Sequence, residues 1–113
     1  MHEYSIVEAL ITRVHAEAKA QGATAVHRLT VRIGELSGVD VGLLKTAYET
    51  FRDRTICSRA ELEVETVPAA WACPTCGGAI VRGAALRCVQ CGDPARLVEG
   101  DEMLLQRIEM EVP

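Results

Sequence analysis

Two Cys-x-x-Cys pairs near the carboxyl end of the chain constrain its fold more than any other sequence feature. Cys73 and Cys76 form the first pair, Cys88 and Cys91 form the second, and a glycine follows each pair. Two intervening residues let a tight turn present both sulfurs to one ion, and glycine can take the positive φ that such a turn needs. Four thiolates suit tetrahedral Zn²⁺ in a closed structural site. We therefore predict a zinc ribbon over residues 71–100, and we expect the metal to supply much of its folding energy because so short a segment cannot build a core.

The same cysteines are compatible with two other chemistries. A dithiol redox pair would require a thioredoxin-like βαβ pattern around it, which this segment does not show. An iron–sulfur cluster also uses four cysteines, so iron is not excluded by the cysteines alone. Cys57 lies apart from both pairs and is interpreted as a small, partly buried residue.

The residues around the ribbon show the periodicities of helices and strands. Apolar residues at helical spacing predict helices, and alternation of apolar and charged residues predicts strands. The predicted helices span residues 4–21 and 41–52, and the predicted strands span residues 26–33, 61–67 and 103–112. Such alternation requires one buried and one solvated sheet face. We predict an α+β fold in which two helices cover one face of a three-stranded sheet, with the zinc ribbon inserted before the last strand.

This arrangement divides the chain into an α/β domain, residues 1–70 plus 101–113, and a zinc-ribbon domain, residues 71–100. The second helix is expected to bury Leu44, Ala47, Tyr48 and Phe51, and the last strand to bury Leu104, Ile108, Met110 and Val112. Arg28 and Arg32 are expected to pair across strands with glutamates of the last strand. Two short ribbon strands are expected at Ile80, Val81 and Leu86.

Composition argues against several classes of protein. The net charge of −4 and the pI near 5.3 disfavour a nucleic-acid-binding surface over the whole chain. Residues 72–113 contain no aromatic side chain that could stack on a base. No apolar run is long enough to cross a bilayer, and the charged residues near the amino terminus fit a helix better than a signal peptide. We therefore expect a cytoplasmic protein. We also expect that it is not an enzyme, since neither a Ser–His–Asp order nor a phosphate-binding glycine loop is evident.

The first three residues, Met1-His2-Glu3, form a possible second metal site. The bulky His2 side chain disfavours removal of the initiator methionine, so we expect Met1 to carry the free α-amine. That amine, the His2 backbone nitrogen and the His2 Nδ1 atom can close fused chelate rings around one ion. Such nitrogen donors suit a square-planar ion, Ni²⁺ or Cu²⁺.

Several motifs occur together in an order that resembles the HypA/HybF family, the nickel metallochaperones of [NiFe]-hydrogenase maturation. They are the initial Met1-His2-Glu3, Gly34-Glu35-Leu36-Ser37, Tyr48-Glu49-Thr50-Phe51 and the paired Cys-x-x-Cys motifs before a terminal strand. The resemblance covers nearly the whole chain. It implies that Ni(II) binds transiently to the Met1 amine, to the His2 amide and imidazole, and to the Glu3 backbone amide. Residues 1–70 plus 101–113 would then be the nickel-binding α/β domain. It also implies that Cys73, Cys76, Cys88 and Cys91 hold structural Zn(II).

The resemblance implies partners as well. Nickel would be delivered to the hydrogenase large subunit precursor in cooperation with a HypB-type GTPase, and some members of the family also serve urease maturation proteins. A homodimer is possible, because an inserted ribbon on flexible connections permits strand exchange between copies. The alternative function is a zinc-ribbon protein- or nucleic-acid-binding module without nickel transfer.

The histidines depart from the pattern of some family members, which have histidines flanking the zinc cysteines. The three histidines here are His2, His15 and His27, and none lies near the ribbon in sequence. We therefore expect a zinc site without a histidine switch, and we interpret His15 as a surface residue.

Overall fold

The structure, a computed structural model, describes residues 3–113 and confirms the predicted two helices and three-stranded sheet. It extends over 56 × 28 × 16 Å, so the molecule is elongated. Within the described residues, no helix is long and apolar enough to cross a membrane. The elements are α1 (Glu3–Gln21), β1 (Ala25–Gly34), α2 (Val41–Phe51), β2 (Glu61–Val67), β3 (Ala70–Ala72), β4 (Arg96–Glu99) and β5 (Met103–Glu111).

The main sheet has the strand order β2-β1-β5, so the first strand along the chain lies in the centre. Strand β1 is parallel to β2 and antiparallel to β5. A parallel pair needs a crossover connection, and α2 supplies it. Both helices bury their apolar stripes on one face of this sheet, where the core contains Val7, Leu10, Ile11, Val14, Ala18, Leu29, Val31, Ile33, Leu44, Ala47 and Tyr48.

Helix α2 begins at a capping residue that the sequence predicts. The Leu43 N–H donates to the Asp40 carboxylate over 3.0 Å, which satisfies one of the free N–H groups of the first turn. The prediction that Phe51 lies on the buried face is wrong, because this side chain is 44% exposed. Phe51 is the last residue of α2 and packs edge-to-face on Tyr4 of α1, with ring centroids 5.2 Å apart. The ring therefore joins the two helices at the surface.

Strand β5 differs from the predicted alternation. Its register against β1 shifts between Thr30 and Val31, which pair with Arg107 and Leu105 and leave Gln106 as an extra residue. Such a bulge breaks the alternation, so residues before it and after it no longer follow one period of two. The prediction is therefore wrong for Leu104, which precedes the bulge and is 47% exposed, and Leu105 packs against the core in its place. Ile108 and Met110 pack against the core as predicted. The prediction is also wrong for Val112, which lies beyond the last residue of β5 and is 52% exposed.

The open face of the sheet carries ion pairs. Arg28 lies 3.8 Å from Glu109 on β5, as predicted. Arg32 instead pairs with Glu65 on β2 over 3.7 Å, because β1 is the central strand and its arginines reach both neighbours. Each exposed pair contributes at most about 1 kcal/mol.

The inserted segment has two connections to the sheet, and they pass each other at Ala69 and Gly100, beside Gly34 at the end of β1. A side chain on Gly34 would collide with the Gly100 backbone. The Leu36 N–H donates to the Gly100 carbonyl over 2.6 Å, which holds the two backbones together. Within the segment, β3 pairs with β4. The expected strands at Ile80, Val81 and Leu86 do not form among the described residues, where single bridges join Ala72 to Ala79 and Arg87 to Pro94.

Candidate metal centre

The four paired cysteines converge on one point. The Sγ atoms of Cys73, Cys76, Cys88 and Cys91 all lie within 4.8 Å of one another. Tetrahedral Zn²⁺ with zinc–sulfur bonds of about 2.3 Å places its sulfurs about 3.8 Å apart. The Cys76 and Cys88 sulfurs are 3.8 Å apart. The donor set and its spacing therefore fit a single zinc ion better than two separate redox dithiols.

Two similar backbone turns present the sulfurs. In the first, the Gly77 N–H donates to the Cys73 carbonyl over 2.9 Å, and in the second the Gly92 N–H donates to the Cys88 carbonyl over 2.8 Å. Gly77 has φ 73° and Gly92 has φ 72°, the left-handed conformation that the sequence predicts for both residues. Both turns also place a backbone N–H 3.4 Å from a sulfur, from Gly78 to Cys76 and from Cys91 to Cys88. These donors spread the charge of the metal-bound thiolates.

Side-chain contacts hold the two turns together. The Thr75 hydroxyl donates to the Asp93 carboxylate over 2.5 Å, which joins the first turn to the second. A backbone hydrogen bond within the second turn, from the Cys88 N–H to the Asp93 carbonyl over 2.9 Å, holds Asp93 in place. Cys73 and Cys88 are buried, whereas Cys76 and Cys91 are exposed. The site is thus enclosed on its inner side by the ribbon and lies close to solvent on the other.

The Cys73 and Cys91 thiols differ in acidity before an ion binds. Donation from the Cys76 backbone N–H lowers the pKa of the Cys73 thiol to about 7. The Cys91 thiol donates to the Cys76 sulfur, and this bond, with desolvation, raises its pKa to about 12. Four negative charges cannot accumulate at one point without a cation. Zinc supplies that charge, and because four thiolates complete its shell, it is left without a position for a substrate water.

The predicted nickel ligands lie mostly outside the described residues, which begin after Met1 and His2. Glu3 is the first described residue, and its side chain is buried. Its Oε2 atom accepts a hydrogen bond from the Asp40 N–H over 3.1 Å. No local sequence signal predicts this contact, since Glu3 and Asp40 are 37 residues apart. It holds the start of α1 against the amino-terminal end of α2.

Cys57 has no part in the zinc site. It is fully buried in the core beside Tyr48, whose hydroxyl donates to the Ala60 carbonyl over 2.9 Å. Burial raises the pKa of the Cys57 thiol, which keeps it neutral and unreactive. Its position is explained by packing.

The chain is similar to proteins of one family along its whole length. Residues 1–110 match the family model described as "Hydrogenase/urease nickel incorporation, metallochaperone, hypA". The hydrogenase maturation factor HypA of Shewanella oneidensis is 41% identical over 113 residues, which cover 98% of this chain and 96% of that protein. The HypA of Wolinella succinogenes is 41% identical over 114 residues, with 98% and 96% covered.

Two solved structures share the fold. The solution structure of the nickel metallochaperone HypA from Helicobacter pylori superimposes with a TM-score of 0.73 at 32% identity, covering all of both chains. A second solution structure of a HypA protein gives a TM-score of 0.81 at 32% identity, with 100% of this chain and 98% of that chain covered. The likeness extends to both the sheet and the cysteine-rich segment.

Proposed function

We propose, starting from the fact that the chain belongs to the HypA family of hydrogenase and urease nickel-incorporation metallochaperones, that nickel binds at the first three residues. The chain is a nickel metallochaperone of hydrogenase maturation with a four-cysteine zinc site. The proposed nickel ligands are the Met1 amine, the His2 amide nitrogen and Nδ1, and the Glu3 amide nitrogen.

The observation that carries this assignment is the geometry of the cysteine cluster. The sulfurs of all four paired cysteines converge on one point, so a zinc ion bound there leaves no paired cysteine for nickel. The Glu3 carboxylate accepts from the Asp40 N–H, which leaves the backbone amide of Glu3 as its donor to nickel. The amino-terminal nitrogens then form an open site that can load and release an ion, whereas the zinc shell is closed.

The proposed domain boundaries separate the nickel-binding part of the chain from the zinc-binding part. We assign residues 1–70 plus 101–113 to the nickel-binding domain and residues 71–100 to the zinc-ribbon domain. The close approach of the two connections at Ala69 and Gly100, beside Gly34 of β1, supports this boundary. As a carrier, the protein passes on an ion and has no substrate to transform, so it is not an enzyme.

The proposed partners are those that a nickel carrier in the cytoplasm requires. A HypB-type GTPase and the hydrogenase large subunit precursor would meet the amino-terminal end of α1, because the ion must pass there. Urease maturation proteins are the corresponding recipients for urease. A second copy of the chain is the remaining proposed partner.

The experiment is metal analysis of untagged protein before and after nickel loading. We expect one tight Zn²⁺ and one labile Ni²⁺ per chain. His2→Ala, or one residue added before Met1, should abolish nickel binding and leave zinc and the fold intact. The matched control is His15→Ala, which removes an exposed histidine of α1. Unchanged nickel binding by the extended protein would disprove the terminal site.

A further inference from the structure

The outer edge of β5 is open. The order β2-β1-β5 makes β5 an edge strand, and no other strand of residues 3–113 pairs with its outer side. The strand is nine residues long. An edge of this length presents a row of backbone donors and acceptors to any strand that approaches it.

Apolar surface accompanies this edge. Leu105, Ile108 and Met110 pack on the core but are only partly buried, and Met103 is 38% exposed. A groove of about 460 Å³ runs between β5 and α1, and its apolar lining includes Leu105, Ile108 and Met110. The helix contributes Arg13, Glu17 and Gln21 to this groove. A strand added to the edge would cover this apolar surface.

The two edges of the sheet differ in charge. On β2 the open face carries Glu61, Glu63 and Glu65, which pair in register with Arg28, Thr30 and Arg32 of β1. Two β2 strands placed antiparallel would set these glutamates against one another, which is destabilising. On β5 the corresponding face carries both signs, with Arg107 beside Glu109 at 4.0 Å. The β5 edge is therefore complementary to itself, and the β2 edge is not.

We propose that a second copy of this chain pairs antiparallel along β5, with Ile108 on the two-fold axis. In this register Arg107 lies opposite Glu109 of the second copy, twice per dimer. Because Gln106 is an extra residue in the strand, the next residue pair beyond it is Leu105 opposite Met110, both on the helix-covered face. The result is a continuous six-stranded sheet with charges paired on its open face and aliphatic side chains on the other.

A buried oxygen of Glu109 supports this register. Its Oε2 atom is buried without a hydrogen-bond partner among the described residues, since Arg28 Nε is 3.8 Å away and Arg107 Nε is 4.0 Å away. Because the Glu109 side chain as a whole is 43% exposed, a rotation of its carboxylate brings this oxygen to the guanidinium of the second copy's Arg107, which supplies the missing donor. Such a two-fold contact is closed, so it yields dimers and not filaments. Because each copy contributes only one edge strand to the contact, the buried area is small. We therefore expect a dissociation constant on the order of micromolar or weaker.

The proposal that β5 forms the dimer contact rests on the proposed self-association of the chain but not on nickel transfer. Reversing the charge of Arg107 or of Glu109 tests it. In a homodimer of Arg107→Glu, the introduced glutamate of each copy faces Glu109 of the other copy. In a homodimer of Glu109→Arg, the introduced arginine of each copy faces Arg107 of the other copy. Sedimentation velocity over a concentration series should show that each variant alone dimerises at least about tenfold more weakly than the wild type. An equimolar mixture should form heterodimers as stable as the wild type. In these heterodimers the introduced glutamate of one variant faces the introduced arginine of the other, and the native Glu109 faces the native Arg107.

The control is Lys45→Glu, which makes the same charge change on an exposed residue of α2 and should leave dimerisation unchanged. Circular dichroism and zinc content establish that each variant folds. If Glu109→Arg folds poorly, dimer stability should fall in the order wild type, Arg107→Gln, Arg107→Glu. A dimer unaffected by these changes, as strand exchange of the ribbon would give, overturns the β5 surface alone. A strict monomer overturns self-association as well, and neither result bears on nickel binding.

Discussion

The guanidinium of Arg82 in the zinc-binding segment donates two hydrogen bonds to the carboxylate of Glu35, which follows β1. Nη1 lies 2.9 Å from Oε1 and Nη2 lies 2.5 Å from Oε2. Glu35 also accepts from the Ala69 N–H over 2.8 Å, so one carboxylate binds both the entry to the segment and its far turn. Behind this pair lies a cleft of about 530 Å³, whose walls include Val39, Val41 and Val67. The pair bridges the two parts of the molecule across this cleft.

Loss of the Arg82–Glu35 pair should change orientation more than stability. We expect Arg82→Gln to leave the melting temperature of the sheet domain nearly unchanged, because exposed ion pairs stabilise little. The ribbon should sample a wider range of orientations, measured by residual dipolar couplings and small-angle scattering. Arg96→Gln, which removes another exposed ribbon arginine, is the control. Identical couplings in the two variants would show that the pair does not set the orientation.

The same pair should persist through mildly acidic pH. Hydrogen bonds from Arg82, then the Ala69 N–H, lower the pKa of Glu35 to about 2. Its pKa is thus lower in the folded than in the unfolded chain, where Glu titrates near pH 4.3. Its stabilising effect is therefore fully present above about pH 4.3 and is lost as the pH falls toward 2. Carboxyl carbon shifts measured by NMR should show Glu35 ionised down to pH 4, whereas a midpoint near 4.5 would contradict the contact.

Removal of zinc should unfold one part of the chain only. Cys76→Ser removes one ligand and leaves a thiolate site that cannot close, so residues 71–100 should lose their dispersed amide resonances while those of the sheet domain remain. Because the sheet core lies between the helices and β1, it does not need the ion. Cys57→Ala is the control: we expect it to retain zinc and to lower the free energy of unfolding by about 1 kcal/mol, from lost packing. Global unfolding of Cys76→Ser would refute this independence.

The contact between the two connections predicts a sensitive glycine. Gly100 has φ 115°, and a Cβ atom there would lie 2.5 Å from the Ala69 Cα atom. Gly100→Ala should therefore lower the free energy of unfolding by at least about 2 kcal/mol, since backbone strain alone costs about 1–3 kcal/mol. Chemical denaturation measures this loss.

Gly38→Ala is the matched control for that substitution. Gly38 also has a positive φ, 80°, but a Cβ atom there would meet nothing within 4 Å. It should lose only the strain energy and remain more stable than Gly100→Ala. Equal losses would show that the contact with Ala69 contributes nothing.

The zinc ligands and the order of elements were predictable because their signals are local. Cys73 and Cys76 are close in sequence, and a turn of that spacing must bring both sulfurs to one side. The apolar stripe of α1 and the alternation of β1 likewise follow from the periodicity of a single element. The Asp40 cap involves residues within one turn of helix.

Features that join distant parts of the chain depended on the tertiary structure. The central position of β1, the extra residue Gln106 and the exposed ring of Phe51 all follow from how whole elements pack. Glu35 and Arg82 are 47 residues apart, and nothing in either local sequence indicates the other. The zinc-binding cysteines and the succession of helices and strands along the chain can thus be predicted from the amino-acid sequence, because each depends on near neighbours. The order of strands in the sheet, their register and the contact between the two parts emerge only in the folded chain, because they depend on which distant surfaces bury one another.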